Sequence, residues 1–210
     1  MNTISSSVIK RLPRYYRLLG ELMKKGVVKI SSRQLADYLG STASQIRQDL
    51  NCFGGFGQQG YGYNVASLRE KIGEILGVGN SVPTILIGVG NLGKAIAMHI
   101  GFEARGFELL ALFDSNPDLT GEQVGDYVIK NYDEIDEFCR ENKPKVAVLC
   151  VPKTASQGIC NKLIELGIEG FWNFSHYDLA VNHEGVVVEN VHMGDSLLRL
   201  GYKLTNATEK

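Results

Sequence analysis

The residues best suited to bind a ligand form a glycine-rich run, Gly88-Val89-Gly90-Asn91-Leu92-Gly93. The apolar segment before this run predicts a strand, and the segment after Gly90 predicts a helix. In that context Gly88 permits a tight turn, Gly90 lets the backbone approach a pyrophosphate, and Gly93 lets the helix pack against the strand. The helix N-terminus would stabilise the phosphate charge. The run therefore predicts a dinucleotide site.

An acidic residue, Asp114, ends the next predicted strand, about 20 residues after the glycine-rich run. A carboxylate at this place accepts hydrogen bonds from the ribose hydroxyls of an adenosine and repels a 2′-phosphate. The SNPD segment that follows contains no Arg or Lys to neutralise such a phosphate. We therefore expect NAD(H) rather than NADP(H).

A second set of polar residues, near the start of the chain, suits nucleic acid. A helix that begins after Thr42 places four of them on one exposed arc: Ser44, Arg47, Gln48 and Asn51. Arg can bridge guanine, and Gln or Asn can bridge adenine. These four residues and Gln45, in the first turn, are the predicted DNA contacts of this helix.

Short helices would position these DNA contacts. A helical period of apolar residues runs from Val8 to Lys25, and Pro13 favours a start near that residue. A second helix, SSRQLADYLG, has a capping box at its start and a glycine at its end, and the third repeats the capping-box spacing at Thr42 and Gln45. The inner face of the third helix should be buried and comprises Ala43, Ile46, Leu50 and Phe53. This plan predicts a helix-turn-helix, with an ordinary three-helix unit as the alternative.

The glycine-dense residues 54–62, GGFGQQGYG, follow the third helix. Their aromatic neighbours argue against a linker, and the lack of a preceding strand argues against a phosphate loop. A hairpin fits better, with Gln58 and Gln59 at its tip and Tyr61 in one arm, all three as DNA contacts. A hairpin after a helix-turn-helix predicts the wing of a winged helix, and NVASLREKIGEILG would close the domain.

Charge is distributed unevenly along the chain. Residues 1–53 carry nine basic and three acidic residues, a net charge of +6, whereas the whole chain has a net charge of −1. A basic head on an acidic body favours contact between the head and a polyanion such as DNA.

The second half alternates predicted strands and helices, which indicates a doubly wound parallel sheet. Its strands are TILIGVG, ELLALFD, KVAVLCV, GIEGFWNF and GVVVENV, and its last helix is MGDSLLRLGYKL. The predicted fold class is thus α/β. Its parts are a winged-helix DNA-binding domain (1–80), a Rossmann-type NAD(H)-binding domain (81–190) and a C-terminal dimerisation helix (191–210).

Cellular location and catalysis are both constrained by what the sequence lacks. It has no membrane-spanning run, no secretion signal and no CxxC pair, so we expect a cytoplasmic protein with reduced cysteines. It also has no Tyr-x-x-x-Lys pair, and its histidines have no carboxylate partner by spacing, although His176 could face a nicotinamide. We therefore expect that this protein is not an enzyme and that it has no metal site.

Taken together, SSRQLADYLGSTASQIRQDL, FGGFGQQGYGYNV, ILIGVGNLGKAIA, LFDSNP, VPKTASQ and FWNF closely resemble the Rex family of redox-sensing transcriptional repressors. The resemblance covers nearly the whole chain. It implies a homodimer that binds pseudo-palindromic operator DNA when NADH is low and releases it when NADH rises. It also implies a C-terminal helix that crosses into the partner subunit, with His192 and Met193 near the partner's nicotinamide, and a linking role for Arg17.

This chain departs from the family pattern at four positions. His99 and His192 stand where relatives have a tyrosine and an aspartate, so a switch contact with Arg17 would have different chemistry. Gln48 and Gln59 replace Lys or Arg, which suggests fewer phosphate contacts.

Redox discrimination must occur at the nicotinamide ring, because the two forms of the nucleotide differ only there. We expect an apolar pocket from Val151, Pro152 and a partner's Met193 to prefer the uncharged ring. Two other classes stay open: a small NAD-dependent oxidoreductase, and a CoA- or nucleotide-binding regulatory module with the same sheet.

Overall fold

The computed structural model describes residues 4–52 and 62–207, and the chain divides into two compact units between residues 79 and 80. The first unit is helical, and the second is built on a seven-stranded sheet. The predicted role of residues 191–210 as a separate dimerisation segment stays a prediction.

The first unit contains five helices and two short strands among its described residues. The helices are α1 (Ser6–Ile9), α2 (Leu12–Lys24), α3 (Ser32–Leu39), α4 (Ala43–Asn51) and α5 (Val65–Ile75). The strands β1 (Lys29–Ile30) and β2 (Tyr63–Asn64) pair antiparallel. The first long helix therefore begins beside Pro13, as the sequence predicts.

The ends of the helices follow local side-chain chemistry. Ser31 and Gln34 form the predicted capping box of α3, and Gly40 ends that helix with a φ of +61°. Thr42 accepts a hydrogen bond from the backbone N–H of Gln45, so it caps α4 as expected. The side chain of Gln45 does not complete a second capping box; its amide donates to Asp49 instead.

The core of the first unit joins all the long helices. Its fully buried side chains include Leu12, Leu19, Ile46, Leu50, Leu68 and Ile72. Of the predicted inner face of α4, Ile46 and Leu50 are buried and Ala43 is half-buried. Phe53 lies outside the described residues.

Pairing of β1 with β2 brings the chain after the glycine-dense stretch back to the segment just before α3. Gly62 begins this return with a φ of +70°, and a Cβ there would lie 2.8 Å from the carbonyl oxygen of Ile30. The predicted hairpin itself, with Gln58, Gln59 and Tyr61, lies outside the described residues. The order helix, strand, two helices, strand, helix is that of a winged helix.

The second unit is a doubly wound sheet with the strand order β5-β6-β4-β3-β7-β8-β9. Every neighbouring pair is parallel except β5 and β6. The strands are β3 (Val82–Ile87), β4 (Phe107–Asp114), β5 (Gln123–Val124), β6 (Tyr127–Asn131), β7 (Val146–Leu149), β8 (Gly170–Asn173) and β9 (Val187–Asn190). The direction of winding reverses at β3, which has β4 on one side and β7 on the other.

Helices cover both faces of this sheet. The covering helices are α6 (Asn91–His99), α7 (Ile135–Asn142), α8 (Lys153–Glu165) and α9 (Leu179–Asn182), and the exposed helix α10 (Met193–Ala207) follows the last strand. Leu86 and Val148 pack with Ile96 of α6 on one face. Ile85 and Ile87, on the other face, pack in a cluster with α7 and α8.

Two details of the second unit differ from the sequence prediction. The sequence after Gly90 predicts a helix that continues to Arg105, but the helix ends at His99, because Gly101 takes a φ of +63°. Only a 3₁₀ turn, Glu103–Arg105, follows. The antiparallel edge formed by β5 and β6 was not predicted. Of the described helices, none is long and apolar enough to cross a membrane.

Candidate functional site

The glycine-rich run lies at the carboxyl end of β3, where the winding of the sheet reverses. Gly88 has a φ of +93°, and a Cβ on it would lie 2.6 Å from the carbonyl oxygen of Cys150. A Cβ on Gly93 would overlap the carbonyl oxygen of Gly88, so the contact between α6 and β3 leaves no room for a side chain. Both glycines are therefore required by the protein's own packing.

Gly90 differs from the other two glycines of the run. It caps the N-terminus of α6 with a φ of −69°, which any residue adopts, and a Cβ there would meet no described atom within 4 Å. Packing within the described chain does not explain a glycine at this position. Close approach of a ligand to the backbone does, which fits the pyrophosphate role expected of Gly90.

Asp114 lies where the sequence predicts, at the end of β4 and next to the glycine-rich run. Its Oδ2 accepts a hydrogen bond from the Val89 N–H at 2.6 Å, and its Oδ1 accepts one from the Asn116 N–H at 2.9 Å. A carboxylate has further lone pairs, so these bonds leave acceptor capacity for ribose hydroxyls. Asp114 thus also fixes the loop beside it.

The end of β7 completes this edge of the sheet. The Cys150 N–H donates to the Ile87 carbonyl oxygen at 2.8 Å, so Val151 and Pro152 follow directly beside the glycine-rich run. Val151 is half-buried, and Pro152 is exposed as the N-cap of α8. Crevices at such a reversal, outside the carboxyl ends of parallel strands, bind ligands in doubly wound sheets.

The three predicted switch residues are distributed over both units. Arg17 is exposed on α2 of the first unit, and His99 is exposed at the end of α6 in the second. His192 precedes α10, and its Nδ1 lies 3.0 Å from Nδ1 of His176, so one ring nitrogen donates and the other accepts. This pairing of histidines was not predicted, and a contact of His99 or His192 with Arg17 stays a prediction.

Met193, the first residue of α10, is 58% exposed. It shares an apolar stripe with Leu197, Leu200 and Leu204, each more than half exposed. The stripe is the part of the described surface best suited to a protein partner.

The predicted DNA contacts of α4 lie on its outer face. Ser44, Arg47, Gln48 and Asn51 are all exposed, and Gln45 is half-exposed. Arg47 reaches back to α3, where its Nη1 is 3.3 Å from the Ser32 hydroxyl oxygen. Of the nine basic residues within positions 1–53, eight are exposed, and the ninth, Arg11, is half-buried.

Arg11 belongs to a buried polar network that sequence reasoning missed. Asp49 of α4 is completely buried and accepts from Nε and Nη2 of Arg11, both at 2.6 Å, and from the Tyr15 hydroxyl at 2.5 Å. Burial and the Asp49 bond raise the pKa of Tyr15, so its hydroxyl stays protonated and donates. A usable signal existed: Arg11 and Tyr15 are four residues apart on one helix face, and α4 contains a single acid.

An apolar groove of the second unit lies elsewhere, near the amino ends of the strands. It has a volume of about 550 Å³ and is lined by side chains such as Phe102, Phe107 and Trp172. The glycine-rich run and Asp114, which the sequence predicts to bind the nucleotide, lie at the opposite, carboxyl edge. In the described ranges, no group of three or more His, Cys, Asp or Glu side chains could hold a metal ion.

Comparisons with known proteins find a matching family model for each of the two units. Residues 3–51 match the family model described as "Putative DNA-binding protein N-terminus", and residues 80–177 match the model described as "CoA binding domain". The chain is 52% identical to the redox-sensing transcriptional repressor Rex of Clostridium kluyveri, over 97% of this chain and 96% of the relative. It is 49% identical to Rex of Clostridioides difficile, over 95% and 94% of the two chains.

Solved structures show the same likeness. RSP, a Rex-family repressor, in complex with β-NAD⁺ and operator DNA has a TM-score of 0.89 and 47% identity, over 99% of this chain and 95% of its own. RSP in complex with β-NADH has a TM-score of 0.90 and 44% identity, over 99% and 97%.

A winged-helix-type unit joined to a doubly wound sheet with a dinucleotide loop defines a class of nucleotide-responsive transcription regulators. Within that class, the chain belongs to the Rex family of redox-sensing transcriptional repressors.

Proposed function

We propose that this chain represses transcription by binding operator DNA as a homodimer, and that NADH bound at the glycine-rich loop releases it from the DNA. The observation that carries this proposal is the joint presence of the exposed polar arc on α4 and of the Gly88–Gly93 loop with Asp114 bonded to it. The arc consists of Ser44, Arg47, Gln48 and Asn51. The likeness to RSP, solved with NAD⁺ and operator DNA and with NADH, supports it.

Residues at the carboxyl edge of the sheet would hold the nucleotide. The backbone of Gly88–Gly93 would bind the pyrophosphate, and Asp114 would accept the adenosine ribose hydroxyls. These groups bind both redox forms equally, and equal binding shifts no conformational equilibrium. NAD(H) supplies a nicotinamide ring that is charged when oxidised and neutral when reduced, so Val151, Pro152 and a partner's Met193 would discriminate between the two by excluding water.

The DNA contacts would come from α4 and the following hairpin. Arg47, Gln48, Asn51, Ser44 and Gln45 would lie in the major groove, and Gln58, Gln59 and Tyr61 would lie along the backbone. Arg17, His99 and His192 would connect the nucleotide site to the DNA-binding unit. We further propose that the protein acts in the cytoplasm and is not an enzyme.

Substitution of Arg47 tests whether α4 recognises the base sequence of operator DNA. In equilibrium binding of operator DNA, Arg47→Ala should cost about 1–3 kcal/mol of specific affinity if Arg47 contacts a base. Arg33→Ala, which removes an exposed cation from α3, serves as the matched control. Equal affinities of wild type and Arg47→Ala would contradict the assignment of α4.

The match to the CoA-binding model keeps a second candidate, a CoA-responsive regulator. Calorimetric titration with NADH, NAD⁺ and CoA separates the two. We expect NADH to bind most tightly and Asp114→Ala to weaken its binding, whereas tighter binding of CoA that is insensitive to Asp114→Ala would favour the second candidate.

A further inference from the structure

Asp49 lies within the recognition helix α4, between exposed Gln48 and buried Leu50. Besides Arg11 and Tyr15, its carboxylate accepts a fourth hydrogen bond, from Nε2 of Gln45 to Oδ1 at 2.8 Å. Gln45 is one turn earlier on the same helix. A buried acid is therefore bonded directly to one of the predicted DNA contacts.

The chemistry of Asp49 fixes which way the Gln45 amide faces. Burial acts to raise the pKa of Asp49, but the hydrogen bonds from Arg11, Tyr15 and Gln45 outweigh burial and hold the pKa below its ordinary value of 3.8. The carboxylate is thus ionised at neutral pH and can only accept. Gln45 must turn its NH₂ group toward Asp49 and cannot turn its carbonyl oxygen there.

The position of Gln45 suits contact with a base. It lies in the first turn of α4, where Thr42 holds its backbone N–H at 3.1 Å, and the N-terminal residues of a recognition helix contact base edges. With one N–H bonded to Asp49, the amide still offers its carbonyl oxygen and its second N–H. Adenine presents the complementary pair, the N6 amino group and the N7 acceptor.

We propose that Gln45 recognises an adenine of the operator, and that buried Asp49 is the positioning residue that fixes the Gln45 amide for this contact. The inference rests on the proposed function, because it requires α4 to lie in the major groove. A fixed amide cannot exchange its donor and acceptor by turning over, so Gln45 would specify on which strand the adenine stands.

Selection from a DNA library with one randomised half-site tests the contact in the full-length protein. Wild type should enrich adenine at one position, and Gln45→Met, similar in size but without the amide, should lose roughly tenfold of that preference while keeping the others. Gln45→Lys can still donate to Asp49 but has no acceptor, so it should lose the preference too. Gln48→Met, the same change on the exposed arc, should keep adenine at that position.

The role of Asp49 is tested by two further measurements. Tyr15→Phe keeps the bond between Gln45 and Asp49 and should keep the adenine preference, whereas Asp49→Asn, which can also donate, should relax it. In the free wild-type protein, side-chain amide protons of Gln45 should exchange with solvent more slowly than those of Gln48 by NMR. Equal exchange rates would overturn the positioning role, whether or not Asp49→Asn folds.

The outcomes also separate this inference from the proposed function. If wild type selects an operator but the Gln45 variants select the same bases, the inference is wrong and the repressor function stands. If wild type selects no sequence at all, both are wrong.

Discussion

The hydrogen-bond network around Asp49 joins two helices of the first unit through single side chains. The Asp49 carboxylate, with 0% side-chain exposure, connects α4 to Tyr15 of α2 and to Arg11 just before that helix. The stability of the network therefore depends on every donor being present. Removing one partner leaves the buried charge with fewer hydrogen bonds, which costs more than the lost bond itself contributes.

Arg11→Met should lower the free energy of unfolding by about 2–4 kcal/mol. This lies below the ~3–5 kcal/mol of a fully buried pair, because the Arg11 side chain is 36% exposed. Tyr15→Phe should cost about 1–3 kcal/mol. Denaturant unfolding measures both, with Arg14→Met on exposed α2 surface as the control; losses no greater than that control's would contradict the network.

Lowering the pH should weaken this hydrogen-bond network, because it protonates Asp49. The pKa of Asp49 is lower in the folded protein than its ordinary value of 3.8, so the stabilisation is complete above that pH and is lost as pH falls through the folded pKa. The difference in unfolding free energy between wild type and Arg11→Met should therefore narrow below about pH 3.8. A difference that stays constant in acid would show that Arg11 does not act through the Asp49 charge.

Thiol chemistry is expected to be slow at three of the four cysteines. Burial raises the pKa of Cys139 to about 11, with the Asp136 charge adding to it, and burial raises the pKa values of Cys150 and Cys160 to about 12. Thiolate is the reactive form. Alkylation of the native protein at pH 8 should modify exposed Cys52 first; rapid labelling of Cys150 would reopen a direct redox role for cysteine.

Within the glycine-rich loop, Gly93 is required for packing and Gly90 is expected to be required for ligand binding. Gly93→Ala would force a Cβ into the Gly88 carbonyl oxygen, so it should destabilise the second unit. Gly90→Ala meets no described atom and no backbone strain, so it should leave the melting temperature unchanged and weaken NADH binding. Thermal unfolding measures the stability of the two variants, and calorimetry measures their affinity for NADH. Unchanged NADH affinity in Gly90→Ala would contradict the pyrophosphate role of Gly90.

The elements themselves were predictable where periodicity and caps agree. Ser31 with Gln34, Pro13 and the glycine-rich run each indicated a helix or a loop that the structure confirms. The antiparallel edge β5–β6 was missed because two short strands carry little periodic signal. The Asp49 network was missed because a sequence pattern assigns an acid to the surface. Only tertiary contact with Arg11 and Tyr15 compensates the cost of burying the Asp49 charge.

At the scale of the whole molecule, α10 carries the clearest surface for assembly. Its stripe of Met193, Leu197, Leu200 and Leu204 is between 51% and 69% exposed in the single chain, more apolar surface than a helix normally leaves in water. A second copy of the chain would cover it, as the family resemblance implies.

Leu197→Glu should therefore weaken the dimer by placing a charge in its apolar interface. Sedimentation equilibrium should show a dissociation constant raised by at least tenfold, about 1.4 kcal/mol. Lys203→Glu changes charge on the same helix away from the stripe and should leave the dimer intact. Dimers of equal strength in wild type and Leu197→Glu would place the interface elsewhere.

In the proposed function, the redox state of the nucleotide controls DNA binding. A gel-shift titration of operator DNA measures this control when only the ratio of NADH to NAD⁺ varies, at fixed total nucleotide and fixed salt. We predict that the protein stays bound in NAD⁺ and is released as the NADH fraction rises. Equal release by NAD⁺ and NADH, or no release by either, would contradict redox control of DNA binding.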